Sequence, residues 1–358
     1  MKNYFRFSVL FVFILVFTQV VVAQETRHWF QGGSFRRPQV NENAKLLPLI
    51  SVDGNRFVNP EGETVLFRGL SISDPDKVEV QGHWNKNHFE QVKSMGAMMV
   101  RIPVHPVAWR ERTPEKYLEL LDQAVEWCTD LGMYIIIDWH SIGNLEMEVF
   151  QNPMYNTSKN ETYNFWRTIA QHFRGNNTVA FYEIFNEPTI YRGQLGVMTW
   201  PEWKKINENV IKIIRAWDTE PIPLVAGFDW AYDLTPLHID PINAEGIGYV
   251  THPYENKRSK PWEPKWEENF GFAADKYPVI NTEFGLGVRP GTEIDEDFYG
   301  NRIIKYCESK GISWMCWVFD PQWGPRMLSS WEEDTYELTG GGEFFKKAMH
   351  GELDFQKE

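Results

Sequence analysis

Eight short, nearly uninterrupted apolar runs, most of them separated by amphipathic segments, restrict the folds open to this chain. They fall at Val65–Leu70, Met98–Pro103, Tyr134–Trp139, Ala180–Phe185, Pro223–Ala226, Gly246–Val250, Pro278–Thr282 and Ile312–Val318. Each is rich in β-branched or aromatic residues and lacks the alternation of a sheet with one wet face. Strands buried on both faces read this way. Between them, Tyr117–Leu131 sets Leu118, Leu121, Val125 and Cys128 on one helical face. Trp203–Trp217 does the same with Ile206, Val210, Ile213 and Ile214. Such alternation, without any linker-like tract, predicts an α/β fold: a single (β/α)8 TIM barrel over residues 49–350. The weakest crossover is Ala231–Ala244, which is short and interrupted by proline. A short N-terminal arm (24–48) is expected before the barrel and a tail (351–358) after it. Ile50–Val58 reads as a hairpin whose Asp53-Gly54 turn supplies positive φ, suited to covering the bottom of the barrel.

A barrel of this kind carries its reactive side chains at the C-terminal ends of its strands. Polar residues gather there. The second run holds Arg101, and the third ends in Asp138-Trp139-His140. The fourth leads to Asn186-Glu187 before Pro188, and the sixth to His252 and Tyr254. The seventh ends in Glu283, and the eighth carries Trp317. Two carboxylates at different strand tips supply the acid and nucleophile that cleavage of a glycosidic bond needs. Glu183 lies four residues before Glu187 and reads as an interior carboxylate paired with Arg68 or Arg101. No further acidic or histidine cluster converges on Asp138 and His140, so no metal is expected.

With these residues in place the chain resembles glycoside hydrolase family 5, the cellulase-type retaining enzymes of the large (β/α)8 clan. The resemblance implies Glu283 as nucleophile and Glu187 as general acid/base. Arg101, His140, Asn186, His252, Tyr254 and Trp317 then bind substrate or support the pair. It further implies hydrolysis of internal β-1,4-glucosidic bonds of a polysaccharide by double displacement, without a cofactor. Mannan, mixed-linkage or β-1,3-glucan and substituted or acidic glycans remain open, as does a non-catalytic glycan-binding barrel. Arg68-Gly69-Leu70-Ser71 and Asp138-Trp139-His140 look cellulase-like, whereas His140-Ser141 replaces the His-His pair some subfamilies carry. Arg101 and the Tyr254 hydroxyl are expected to favour ionised Glu283. Asn186 suits a sugar 2-hydroxyl, and Trp317 offers a flat face to a pyranose ring.

Lys2 and Arg6 precede the apolar run Phe7–Val22, with small residues before Gln24. This is the pattern of a secretory leader (1–23) cut after Ala23, and predicts a secreted or periplasmic protein without membrane insertion after cleavage. Its loss leaves 34 Lys and Arg (36 less Lys2 and Arg6) against 49 Asp and Glu. That balance argues against nucleic acid and anionic membranes; the resemblance implies a polysaccharide or oligosaccharide partner, and a monomer is expected. The three cysteines, Cys128, Cys307 and Cys316, sit in apolar runs and read as core residues rather than a disulfide framework.

Aromatic residues make up 15% of the chain, a high share, and many of them must be core. Trp127 and Trp217, in helical segments, read as packing. Trp109, Tyr191, Trp200, Trp230, Trp262 and Trp323 fall in βα loops and are candidate sugar platforms. The basic stretch Lys257–Lys260 follows the sixth-strand motif. It reads as a loop balanced by Glu255 and Glu263, or as a contact for an acidic sugar.

Overall fold

The computed structural model describes residues 46–288 and 292–357. The expected leader and all but the end of the arm lie outside the described residues. Eight parallel strands close into a barrel in sequence order. They are β1 (Arg68–Ile72), β2 (Met99–Val104), β3 (Tyr134–Trp139), β4 (Val179–Glu183), β5 (Ile222–Ala226), β6 (Gly248–Thr251), β7 (Val279–Phe284) and β8 (Ser313–Phe319). Closure runs through β8 onto β1, with Cys316 opposite Leu70. All eight expected runs coincide with a strand, shifted by a few residues. The first shifts most because its start belongs to the hairpin: Thr64 bridges Val58, and the Val65 N–H donates to the Phe57 carbonyl.

The helices around the barrel include α1 (Lys86–Ser94), α2 (Pro114–Leu131), α3 (Lys159–His172), α4 (Trp200–Arg215), α5 (Glu263–Asn269), α6 (Tyr299–Ser309) and α7 (Gly340–Met349). Local sequence sets their ends. Pro114 occupies the first turn of α2, and left-handed Gly132 closes it. Thr199 and Glu202 form a capping box on α4. Their buried stripes include Leu118, Leu121, Val125 and Cys128 on α2, and Ile206, Val210 and Ile214 on α4. Trp217 differs from expectation: it lies just past the α4 C-cap and is 43% exposed. After β5 no long helix forms. Phe228–Ala231 is a tight turn with Asp229, Trp230 and Ala231 all at positive φ, followed by a 3-10 turn at Thr235–His238.

The lower barrel interior is apolar. Phe57 of the hairpin packs edge-on to Phe181, and Phe67 edge-on to Phe181 and Tyr134, over Met99, Ile136, Val250, Ile280 and Met315. Hairpin strands Ser51–Asp53 and Arg56–Val58 thus seal the bottom, with Gly54 left-handed in the turn. All three cysteines are buried and unpaired. No helix among the described residues is long and apolar enough to cross a membrane.

Candidate active site

One step above the apolar layer, the barrel interior is ionic. Arg101 is fully buried on β2. Its Nε and Nη2 donate to both Glu183 oxygens at 2.8 and 2.9 Å. Its Nη1 donates to Glu283 Oε2 at 3.0 Å, and Nη2 reaches Asn186 Oδ1 at 2.7 Å and Asp138 Oδ2 at 3.0 Å. Glu183 is therefore the interior partner of Arg101, while Arg68 pairs with Glu308. Burial alone would raise the Glu183 carboxyl, but the Arg101 guanidinium and His252 bring it down to about 2.

Glu283 lies within β7 and is 6% exposed. Glu187 sits beyond the end of β4, where Glu187-Pro188 pairs with Ile142-Gly143 in a small separate sheet. The Asn186 N–H donates to the Trp139 carbonyl and the Glu187 N–H to that of Ser141, both at 3.1 Å. These backbone bonds turn both side chains over the barrel mouth. Tyr254 Oη donates to Glu283 Oε1 at 2.7 Å. His252 Nδ1 lies 3.0 Å from Glu187 Oε1, and its Nε2 lies 2.9 Å from Thr282 Oγ1. One oxygen each from Glu187 and Glu283 and one His252 nitrogen all fall within 4.8 Å of one another.

Burial lowers His252, yet Glu283, Glu183 and Glu187 around it raise it to about 9. It is cationic at neutral pH. Burial also lifts the Glu283 carboxyl above the ordinary range, and His252, Arg101 and Tyr254 offset this only in part. The expectation that Arg101 and Tyr254 favour the ionised form holds in direction, but desolvation outweighs them. His140 is pushed well below its usual range by burial and by neighbouring His105 and Arg101, so its ring is neutral. Its Nδ1 is 2.6 Å from Asp138 Oδ2.

The carboxylates open into a cleft of about 1060 Å³. His140 and Trp317 stand in it with rings parallel to within 4°. Trp323, His105, Tyr155, Trp230 and Lys257 also line it.

The family pattern for cellulase, glycosyl hydrolase family 5, matches residues 58–322. The chain belongs to that family. A solved β-glucanase from Saccharophagus degradans in complex with cellotetraose is 44% identical, covers 86% of this chain and 94% of its own, and superposes with a TM-score of 0.82. The endoglucanase Cel5A of Thermobifida fusca, at 21% identity and a TM-score of 0.68, shares the fold. Endoglucanase A of Butyrivibrio fibrisolvens is 27% identical over 75% of this chain, and an endoglucanase of Clostridium saccharobutylicum 25% over 84%. The chain spans 59% and 65% of the lengths of those two relatives.

The six candidate platforms of this family 5 chain divide. Trp230 and Trp323 line the cleft. Trp109 does not: it is fully buried in the short helix Pro106–Arg112, against Tyr117 and Phe165. Trp262 is 6% exposed and packs against Trp266 and Tyr299. Trp200, the first residue of α4, lies edge-on to Phe228 with its indole N–H on the Asp240 carbonyl, and is not among the residues lining the cleft. Tyr191 begins a 3-10 turn, and its side chain lies outside the described residues. In the basic loop Lys260 and Glu263 interact electrostatically, as expected, while the other two cations turn to Asp229. Lys257 Nζ donates to the Asp229 carbonyl at 2.6 Å and sits over the Trp230 ring, while Arg258 pairs with the Asp229 carboxylate. Sequence reasoning missed His105, Gln151 and Tyr155 in the cleft wall. His105 had a signal, since it follows β2 directly as His140 follows β3.

Proposed function

We propose that this chain is an exported retaining endo-β-glucanase that hydrolyses internal β-1,4-glucosidic bonds, with Glu283 as nucleophile and Glu187 as acid/base. The observation that carries the reading is the approach of the two carboxylates to within 4.8 Å. Retaining enzymes hold their pair about 5–5.5 Å apart, whereas inverting ones leave about 6.5–9.5 Å for a water. Glu283 attacks the anomeric carbon while Glu187 gives its proton to the departing glycosidic oxygen. The C1–O bond breaks and a glycosyl ester to Glu283 forms. A water then attacks the same carbon, Glu187 takes its proton, and the ester bond breaks to return both carboxyl groups to their starting states.

The surrounding residues have matching work. Glu283 Oε2 accepts from Arg101 and Oε1 from Tyr254, which fixes the carboxylate and supports its charge. Glu187 Oε1 faces His252, leaving Oε2 to carry the transferred proton. Asn186 Nδ2 is a buried donor without a partner among the described residues. Such an orphan donor, next to Glu187 in the chain and on the side chain whose Oδ1 accepts from Arg101, suits the sugar 2-hydroxyl. The retained sugars extend over Trp317 toward Trp323, and the leaving sugars pass Glu187 toward Trp230 and Lys257. Cellotetraose on the 44% identical β-glucanase favours glucan over other β-glycans. Export rests on the leader pattern, and N-terminal sequencing of the mature protein should begin at Gln24.

Product analysis on defined β-glucans, mannans, xyloglucan and acidic glycans tests the activity. Mixed internal fragments from β-1,4-glucan, with the β-anomer first seen by proton NMR, are expected. Exclusive release of terminal mono- or disaccharides would refute the endo claim, and an initial α-anomer would refute retention.

A further inference from the structure

His105 and His140 are built alike. Each follows a barrel strand directly, and each has its Nδ1 against a buried aspartate. His140 Nδ1 lies 2.6 Å from Asp138 Oδ2, and His105 Nδ1 lies 3.0 Å from Asp74 Oδ2. Both imidazoles and both aspartates are at most 4% exposed. Asp74 is itself fixed, accepting backbone N–H bonds from His105 and Asp76 at 2.8 Å. An imidazole whose Nδ1–H is tied to a carboxylate presents Nε2 as a lone-pair acceptor. Neither Nε2 has a protein partner among the described residues, and neither is sealed from solvent. Both rings line the cleft, with centroids 4.7 Å apart.

Their neighbours assign them to successive sugars. His140 is parallel to Trp317 at 5.4 Å. His105 stands edge-on to Trp323 at 5.3 Å and is backed by Tyr155. Trp317 and Trp323 are parallel to within 13° with centroids 6.3 Å apart. Ser141, which follows His140 in sequence, gives its hydroxyl to the Tyr155 carbonyl at 2.7 Å instead. The imidazole beside His140 in the cleft therefore comes from the residue after β2, not from the residue after His140.

We propose that His105, oriented by Asp74, is a specificity-determining residue on the retained-sugar side. Its Nε2 accepts a hydrogen bond from a hydroxyl of the second sugar from the scissile bond, while His140 serves the first. This rests on the direction of the glycan given under Proposed function. The ligand it selects is a neutral sugar with a free hydroxyl at that point. A carboxylate or an ether there meets an acceptor and is disfavoured.

Dinitrophenyl β-cellobioside and β-glucoside, whose activated leaving group needs little acid assistance, separate the two histidines. His105→Phe keeps the ring against Tyr155 and removes the acceptor. Its KM on the cellobioside should rise about five- to tenfold, with the glucoside unchanged within twofold. His105→Gln, whose amide oxygen can accept, should recover part of the loss, and His140→Phe should impair both substrates. Thermal melts check that each variant folds; if the Phe variant does not, partial loss confined to the cellobioside in His105→Gln supports the proposal in its place. An unchanged cellobioside KM, or equal losses on both glycosides, would overturn the proposal. Wild type inert on both glycosides and on every β-glucan would sink the proposed activity instead. Calorimetric titration with cellotriose would then decide His105 separately: weaker binding by the Phe variant supports it, equal binding overturns it.

Discussion

Along six barrel strands the inward side chain changes character in a single step of two residues. Met99 gives way to Arg101, Ile136 to Asp138, Phe181 to Glu183, Val250 to His252, Ile280 to Thr282 and Met315 to Trp317. The lower layer joins the apolar plug closed by Phe57 and Phe67. The upper layer is an ion network around Arg101. The two are equally buried, yet their energetics differ. Burial of apolar surface stabilises directly, whereas a buried ion network roughly offsets its own desolvation and contributes little net stability. Folding should depend on the lower layer and chemistry on the upper, and substitutions can pull the two apart.

The largest effect is expected from Glu283→Ala: a loss of about 10⁴-fold or more in kcat. The melting temperature should not fall, because the change removes a buried carboxylate that sits against Glu187 and leaves Arg101 paired with Glu183 and Asp138. A steep drop in stability would show that the ion network holds the fold, and the division between layers would fail. Phe181→Ala is the reverse case. Its ring meets Phe57 at 5.0 Å and Phe67 at 5.5 Å, two residues below Glu183. Truncation should cost about 3–5 kcal/mol in denaturant unfolding, with kcat and KM of the folded fraction within about twofold. A much larger kinetic change would mean that the plug sets the geometry of the carboxylates.

The same division explains what the sequence revealed. Strand runs were readable because both faces are apolar, and the polar tips stood out against them. Trp109 and Trp262 were misjudged because a tryptophan beside a strand end looks the same whether it faces the cleft or the helical layer. Only the short helix that turns Trp109 onto Phe165 decides between them. Tyr155 and Gln151 come from a long excursion after β3, where no periodicity links sequence to direction. Glu187 illustrates a finer limit: its strand ends at Glu183, and the small sheet with Ile142-Gly143 that orients it is a pairing distant in sequence.

A smaller effect concerns pH. As the proposed nucleophile, Glu283 must be ionised to attack, and burial raises its carboxyl above the usual range. Activity should therefore be lost, about tenfold per pH unit, as pH falls through an acid limb lying above the ordinary carboxylate value. His252 is the foremost of the groups pulling Glu283 down. His252→Asn should move the limb of kcat/KM further up in pH. A limb that stays put, or moves down, would show that the cation on His252 does not reach the nucleophile.

The smallest expected effect is that of a chelator. Glu187, His252 and Glu283 bring one ligand atom each within 4.8 Å, a spacing able to hold a divalent cation. The donor set fits one poorly. Both His252 nitrogens are already engaged, by Glu187 and by Thr282, and the ring is held cationic up to about 9, so it has no lone pair to give. The Glu283 oxygens accept from Arg101 and Tyr254, and a cation there would have to displace Arg101 from its full burial. The upper layer thus already contains its own positive charge. EDTA should leave kcat/KM unchanged at neutral pH. Loss of activity restored by an added divalent cation would mean that the ion network forms around a metal, with His252 neutral and its partners rearranged.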